Sequence, residues 1–257
     1  MQTVIEFATV DQWWQLAKHR PAYRQFTQTP LKDFGYLRIL QDLQQLGAGR
    51  VLEFGCGLWM APDKNLFDLF PDCELWAVDD WQDLHYFPPE SEWAKQYDAL
   101  RPRFPKAKFL RGLIGQPPLL GTLPKGYFDA VVSVSVLEEI PDFHRSVFAH
   151  AFELLRPGGW LLGTFDFCAT PLPAYPWQNW PHASVDAQRA AGFELHDDCK
   201  PPKCVDHLLL ENPVGVMLYY ESGEGEDRKY WGHFGSMYTA ARKPVAGTET
   251  FSPVIGQ

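Results

Sequence analysis

The sequence predicts a doubly wound α/β fold, in which a mostly parallel sheet carries helices on both faces. The first observation is a series of short apolar runs that suit buried strands, at residues 51–54, 74–79, 108–110, 128–136 and 160–165. The second is that patterns typical of helices lie between several of these runs, which favours parallel strands joined by crossover helices. The third is a pair of glycines directly after the first run, where the chain must turn tightly.

The glycine turn is the best-defined local feature. Residues 51–57 read Val-Leu-Glu-Phe-Gly-Cys-Gly, so that an apolar run leads into Gly55 and Gly57. Glycines at the end of a strand permit a tight turn and let a ligand approach the backbone. Pro62 and Asp63 then indicate a helix start, because proline and an acid suit the first helical turn. Strand, glycine turn and helix in this order are typical of a nucleotide-binding sheet.

Asp79 ends the second predicted strand, 22 residues after Gly57. A carboxylate at this place can accept hydrogen bonds from both hydroxyls of a ribose. Acids at strand ends also cap the next helix, but the preceding glycine turn favours the ribose.

The segments on either side complete the expected organisation. Residues 3–30 are expected to form short helices, and the leucine spacing of residues 31–46 predicts a longer helix that covers the sheet or the glycine turn. Further elements are predicted as a helix at 184–191, a strand at 192–195 and a last strand at 236–241. The expected divisions are a helical lid at 1–47, a main domain at 48–243 with an insertion at 199–232, and a tail at 244–257.

Composition argues against several classes of function. The chain has 257 residues, 46% of them hydrophobic, which is enough for one well-packed core. Its formal charge of −9 and the lack of a Lys/Arg cluster argue against a nucleic-acid partner. No apolar stretch approaches the roughly 20 residues of a membrane span, and the N-terminus lacks the pattern of a signal peptide. Five cysteines without a disulfide-like spacing indicate a reduced, cytoplasmic protein.

Several short motifs follow one another along the chain: Val-Leu-Glu-Phe-Gly-Cys-Gly at 51–57, Ala-Val-Asp at 77–79, Phe-Asp-Ala-Val-Val-Ser-Val-Ser-Val-Leu-Glu at 128–138, Leu-Leu-Arg-Pro-Gly-Gly at 154–159 and Ala-Gly-Phe at 191–193. Together they resemble class I S-adenosylmethionine-dependent methyltransferases of the small-molecule type. Each motif is common by itself, but their order and spacing are specific. The resemblance covers roughly residues 48–198 and 236–243.

The resemblance implies a Rossmann-like sheet of seven strands whose last strand is antiparallel. It also implies S-adenosylmethionine as the cofactor and a small-molecule acceptor. A stiff loop at 170–182 carries Tyr175, Trp177 and Trp180, which favour an aromatic or apolar acceptor. The residues expected to contact the cofactor are Glu53, Gly55, Cys56, Gly57, Asp79, Asp80 and Ser133.

Three positions depart from the pattern of this family. Residues 111–115 supply no acid near the adenine, Glu139 stands where the family often has histidine, and Trp59 is bulky where a small residue is common. The adenine is therefore expected to bind to backbone or to another side chain.

Candidate catalytic bases follow the fourth and fifth predicted strands: Glu139, His144, Asp166 and His182. A base is needed only if the acceptor must lose a proton, because positioning alone can supply most of the catalysis. Each candidate also has a structural interpretation, in which Glu139 and Asp166 cap a helix or a turn and His144 lies on a solvent-exposed helix face. His182 is favoured because its aromatic loop can stack a flat substrate.

Two further classes of function stay open on this evidence. An NAD-dependent oxidoreductase would also use Gly55, Gly57 and Asp79, but the third glycine of its fingerprint would fall at Met60. A non-catalytic protein that binds S-adenosylmethionine would keep the same motifs.

One cluster of metal-ligand types lies near the end of the main domain: His196, Cys199, Cys204 and His207. Zinc accepts these residues at such spacings, but an ordinary loop with reduced cysteines explains them equally. We therefore assign no metal.

Overall fold

A seven-stranded sheet forms the centre of the computed structural model, which describes residues 1–19, 30–56, 72–80, 102, 104–117, 119–140, 144–168, 182–195 and 234–245. Its strands are β1 (Val4–Phe7), β2 (Arg50–Phe54), β3 (Glu74–Asp79), β4 (Lys108–Arg111), β5 (Phe128–Ser133), β6 (Leu155–Cys168) and β7 (Phe234–Arg242). The helices within these ranges are α1 (Val10–His19), α2 (Pro30–Leu46), α3 (His144–Leu154) and α4 (His182–Ala190), with 3₁₀ turns at Leu119–Gly121 and Leu137–Glu139.

The strand order across the sheet is β1-β7-β6-β5-β2-β3-β4. Strands β6, β5, β2, β3 and β4 are parallel to one another. Strand β7 is antiparallel to both of its neighbours, β1 and β6. Six strands of the described sheet therefore run in one direction, and the last strand runs against them. This confirms the predicted fold class, a mostly parallel seven-stranded sheet with an antiparallel last strand.

Helices cover both faces of the sheet, as the doubly wound prediction requires. On one face, Phe34, Leu40 and Leu43 of α2 are fully buried against β-strand residues. On the other face, Phe148 and Leu154 of α3 are fully buried in a second core. Burying one such side chain stabilises the fold by about 1.5–3 kcal/mol. The helix predicted at 31–46 is confirmed as α2, one residue longer at its start.

The prediction of only short helices in residues 3–30 is wrong at its beginning. Residues 4–7 form β1, an edge strand that pairs with β7 from Val4 opposite Ala240 onwards. The helix starts only after Thr9, whose Oγ1 accepts a hydrogen bond from the Gln12 backbone N–H at 3.2 Å. The Gln12 side chain in turn accepts a hydrogen bond from the Thr9 backbone N–H, so a capping box fixes this start.

The strand predicted at 192–195 forms only one bridge in the structure, between Glu194 and Arg242. Because Arg242 pairs with Trp160 of β6 on one side, Glu194 lies on the other edge of β7. That edge is otherwise taken by β1, and this explains why residues 192–195 do not extend into a full strand.

Two other strand predictions differ from the structure in their limits. The strand predicted at 128–136 ends at Ser133, since the next residues bend and Ser135 has a φ of 50°. The strand predicted at 160–165 is longer, because β6 begins at Leu155 and passes through an irregularity of register before it pairs regularly from Trp160.

The predicted lid at 1–47 contributes β1 to the sheet and α2 to one of its faces. The insertion predicted at 199–232 lies outside the described residues, as does the tail after 245. Among the described helices, none combines the length and the apolar character needed to cross a bilayer.

Candidate active site

The carboxyl ends of β2, β3, β5 and β6 meet at one edge of the sheet, because these strands are parallel. Open α/β sheets bind ligands at this edge. Side chains alternate between the two faces of a strand, so Glu53, Asp79 and Asp166 lie on the face that α2 covers. Ser133 follows Val131 in the alternation and lies on the opposite face, towards α3.

The glycine turn after β2 is tightly constrained. Gly55 has a φ of +68°, which side chains disfavour, and its N–H donates a hydrogen bond to the Val78 carbonyl at 2.8 Å. The Cys56 N–H reaches the same carbonyl at 3.5 Å. A Cβ atom on Gly55 would lie 2.2 Å from Cγ2 of Val136, which follows β5. Only glycine therefore fits here, while the predicted partner Gly57 lies outside the described residues.

Two carboxyl groups, of Glu53 and Asp79, lie on the same face of neighbouring strands next to this turn. Glu53 is 4% exposed, and burial, with a smaller contribution from the charge of Asp79, raises its pKa to about 8. Asp79 is half-buried at the end of β3. Glu53 is thus mainly protonated at neutral pH in the free protein, and a nearby positive charge would favour its ionised form.

Cys56 is buried beside these two acids. Burial, the charge of Asp79 and that of Glu53 all raise the pKa of its thiol. A thiol held in this protonated form is a poor nucleophile. Cys56 therefore belongs to the wall of the site rather than to its chemistry.

Tyr36 on α2 is a site residue that no sequence motif predicts. Burial and the charges of Glu53 and Cys56 raise the pKa of its phenol, so its hydroxyl end lies close to both. The adjacent Gly35 lets the helix approach, because a Cβ there would lie 2.9 Å from Cγ2 of Thr164. A glycine inside a predicted helix was the available signal, since it marks a close approach.

The segment after β4, which lacks the family's acid, is fixed beside Asp79 and Asp80. The Gly112 N–H donates to the Asp79 carbonyl at 2.8 Å, and Arg111 Nε donates to the Asp80 carbonyl at 3.0 Å. The Gly115 N–H donates to Nδ1 of His150 on α3 at 3.0 Å. His150 must therefore be unprotonated at Nδ1, and burial lowers its pKa in agreement.

The structure separates the four candidate catalytic bases. His144 is buried and its Nε2 lies 2.6 Å from the Leu137 carbonyl, so the interpretation that it lies on a solvent-exposed face is wrong. Its Nε2 must donate to that carbonyl, which leaves it unsuited to accept a proton there. Glu139 ends a 3₁₀ turn and His182 begins α4, two residues earlier than predicted. The side chains of these two residues are outside the described set.

Asp166, the fourth candidate, is buried near the carboxyl end of β6. Burial raises the pKa of its carboxyl group, and the hydroxyls of Ser135 and Ser236 and the charge of Lys32 offset part of this increase. Asp166 is therefore the candidate whose surroundings the structure describes in most detail.

Within the described ranges, no three side chains of histidine, cysteine, aspartate or glutamate converge in a way that could hold a metal ion. The four residues of the possible zinc cluster, from His196 to His207, lie outside those ranges.

An α/β sheet with a glycine turn and two acids at its carboxyl edge defines a nucleotide-binding protein of the doubly wound class. Residues 23–196 match the family model described as a methyltransferase domain. The chain therefore belongs to the methyltransferase-domain family, whose enzymes use S-adenosylmethionine. This match favours the methyltransferase interpretation over the NAD-dependent oxidoreductase. Among curated proteins, none matches the chain.

Solved structures agree with this fold at low sequence identity. A predicted methyltransferase from Bacillus halodurans is 16% identical, with a TM-score of 0.51 over 80% of this chain and 99% of the other. A predicted sarcosine dimethylglycine methyltransferase from Galdieria sulphuraria is 12% identical, with a TM-score of 0.50 over 80% of this chain and 84% of the other. At these identities the likeness supports the fold alone.

Proposed function

We propose that this protein transfers the methyl group of S-adenosylmethionine to a small-molecule acceptor at the carboxyl edge of its sheet. The observation that carries the proposal is the pair of carboxyl groups, Glu53 and Asp79, beside the constrained turn at Gly55. The family match supports the class of reaction.

The residues of this edge fit the charge and the hydrogen-bonding groups of the donor. S-adenosylmethionine carries positive charge on its sulfonium and ammonium groups, which the carboxyl group of Asp79 attracts. Asp79 offers acceptor oxygens for the ribose hydroxyls. Glu53 is held protonated by burial in the free protein, and its ionised form gains stability when a cation lies nearby.

The chain's main catalytic task is to hold the two reactants in line. The bound cofactor supplies an electrophilic methyl group on a positively charged sulfur. Positioning of this kind reaches effective molarities of roughly 10⁵–10⁸ M. Tyr36 and the rest of α2 cover this face of the sheet and exclude water from it. We assign the donor to Glu53, Gly55, Cys56, Gly57, Asp79 and Asp80.

Ser133 stays a weaker member of the predicted cofactor set. Its side chain is fully buried on the face towards α3, away from the face that carries Glu53 and Asp79. Its Oγ has no hydrogen-bond partner within the described part of the chain. Only its backbone at the end of β5 lies at the same edge as the glycine turn.

A small molecule is the acceptor class that charge and composition support. The formal charge of −9 disfavours a nucleic-acid acceptor. The aromatic or apolar character of the acceptor rests on Tyr175, Trp177 and Trp180, which lie outside the described residues, and it stays a prediction. We also propose a cytoplasmic location, with which the free thiols of Cys56 and Cys73 agree.

Replacing Asp79 with alanine tests the proposed donor site. We expect the dissociation constant for S-adenosylmethionine to rise about 10- to 100-fold, because charge-assisted hydrogen bonds to the ribose are lost. Isothermal titration calorimetry measures this change directly. Asp186→Ala is the matched control, since Asp186 is an exposed aspartate on α4 with 76% of its side chain accessible. Equal affinities for the parent and Asp79→Ala would refute the assignment.

A further inference from the structure

A second polar cluster lies on the same face of the sheet, around β6 and β7, to one side of the proposed donor site. Asp166 of β6 lies opposite Ser236 of β7 in the strand register. Ser135 follows β5 and Lys32 is on α2, and each lies close enough to Asp166 to lower the pKa of its carboxyl group. We call these four residues the Asp166 cluster. They come from four different elements and meet at one buried carboxyl group.

The Ser135 and Ser236 hydroxyls lie near enough to the Asp166 carboxyl group to lower its pKa, but their geometry falls short of normal hydrogen bonds. Asp166 is 7% exposed and Ser236 is fully buried. Asp166 Oδ1, Ser135 Oγ and Ser236 Oγ have no hydrogen-bond partner of normal geometry within the described part of the chain. Such atoms are costly to bury, so each needs an explanation, of which a bound ligand is one.

The backbone at Ser135 supports a functional explanation. Ser135 has a φ of 50°, and it is the one residue other than glycine with a positive φ among those described. Its N–H donates to Oγ1 of Thr164 at 3.0 Å, which holds the strained conformation. Glycine would adopt this backbone at lower cost. Strained residues of this kind cluster at sites where ligands bind.

The position of the cluster suits the second reactant. The strand register aligns Glu53 of β2 with Val132 of β5, and Val132 with Leu162 of β6. Asp166 is four residues further along β6, so it lies about 13 Å beyond that level and about 10 Å to the side of β2. Asp166 therefore lies beyond the carboxyl edge, two strands to the side of the proposed donor site.

We propose that Asp166, with the hydroxyls of Ser135 and Ser236, binds the O–H or N–H group of a neutral acceptor and takes its proton during methyl transfer. This inference rests on the function proposed above. A lone pair of the acceptor oxygen or nitrogen forms the new bond to the methyl carbon. The carbon–sulfur bond breaks with its electron pair left on sulfur, and the acceptor proton passes to Asp166 Oδ1.

The neighbouring charge favours a neutral acceptor over a cation. The positive charge of Lys32 offsets the negative charge of the Asp166 carboxylate, so the cluster has little net charge with which to attract a cation. A protonated amine also has no lone pair with which to attack the methyl group. The acceptor class is thus a neutral hydroxyl or N–H compound, and not a tertiary amine or thioether that becomes a cation on methylation.

Pairs of probes that differ by one methyl group test this inference without turnover. S-adenosylhomocysteine-loaded protein is titrated with phenol and anisole, and with imidazole and 1-methylimidazole, by ligand-observed NMR. We expect at least one probe with a free O–H or N–H to bind about tenfold more tightly than its methylated partner, as a charge-assisted hydrogen bond would give. The ratio of the two dissociation constants should fall close to one in Asp166→Leu, where a side chain of similar size replaces the carboxyl group.

Ser135→Gly provides a second variant in case Asp166→Leu does not fold. It removes one hydroxyl and suits the φ of 50°, so a purely structural role predicts higher thermal stability and an unchanged ratio. The proposal predicts a ratio about threefold lower, as loss of one neutral hydrogen bond would give.

The outcomes separate this inference from the proposed function. The role of Asp166 is overturned if the parent binds each probe and its methylated partner equally, or if the ratio of their dissociation constants is unchanged in folded variants. Failure of S-adenosylhomocysteine to bind the parent overturns the proposed function instead.

Discussion

Replacing Gly55 with alanine should lower the free energy of unfolding by about 2–5 kcal/mol and abolish cofactor binding. Two costs add at this position. A residue other than glycine at a φ of +68° costs about 1–2 kcal/mol. The new Cβ would also lie 2.2 Å from Cγ2 of Val136, and relieving such overpacking costs about 1–3 kcal/mol. Urea denaturation measures the loss of stability, and calorimetry measures the loss of binding.

Gly126→Ala is the matched control for this substitution. Gly126 has a φ of +63°, but nothing lies within 4 Å of the Cβ that alanine would add. The control therefore carries the backbone cost alone, about 1–2 kcal/mol. If both variants lose the same stability, the contact with Val136 contributes nothing.

A double variant identifies the contact itself. Val136→Ala removes Cγ1 and Cγ2, the two atoms that a Cβ on Gly55 would approach most closely, at 2.6 and 2.2 Å. In the Val136→Ala background, Gly55→Ala should therefore cost less than in the parent. The recovery should be incomplete, because the Val136 Cβ would still lie 2.9 Å away.

Local patterns explain which parts of the fold the sequence predicts. The leucine spacing of α2 and the apolar runs of β2, β3 and β5 lie within short windows, so periodicity reveals them. β1 has only the short sequence Val-Ile-Glu-Phe, which by itself does not distinguish a strand from the start of a helix. Its four residues become a strand only because β7, more than 200 residues later in the chain, offers an edge to pair with. The short run at 192–195 has a similar local pattern, but most of that edge of β7 already pairs with β1. Only Glu194 therefore forms a bridge there.

The residues of the candidate site likewise fall into those that a local motif predicts and those that only the packing of the fold brings in. Glu53, Gly55 and Asp79 belong to motifs whose spacing is visible in the sequence, and the structure brings them together. Tyr36 and His150 join the site through packing of α2 and α3, so no short motif contains them. The burial of His144 is not predictable from its place at a helix start, because its ring packs against Phe148 and against Phe165, which lies on another element.

The second large effect is expected in the pH dependence of stability. Burial and Asp79 raise the pKa of Glu53 from 4.5 to about 8 in the folded protein. Between these values the unfolded chain loses its proton while the folded protein keeps it. The folded state is therefore destabilised as pH rises from about 4.5 to 8, by about 1.4 kcal/mol per pH unit, and no further above that.

Glu53→Gln should remove this dependence, because glutamine is neutral in both states. Relative to the parent, the variant should gain about 3–5 kcal/mol of unfolding free energy between pH 4.5 and pH 8 in the absence of cofactor. Urea denaturation at pH 5, 6.5 and 8 measures the change. Asp79→Asn should lower the pKa of Glu53, since the charge of Asp79 contributes to its increase. Stability should then fall over a narrower pH range than in the parent.

Glu74→Gln is a control with the same substitution at a glutamate whose pKa is lowered and not raised. Hydrogen bonds from Lys108 and Tyr127 lower the pKa of Glu74 to about 2. Between pH 5 and 8 this side chain is ionised in both the folded and the unfolded states, so the effect of Glu74→Gln should not vary with pH there. A pH-independent effect of Glu53→Gln as well would mean that Glu53 is ionised in the folded protein. The two acids at the carboxyl edge would then form a doubly charged site before any cofactor binds.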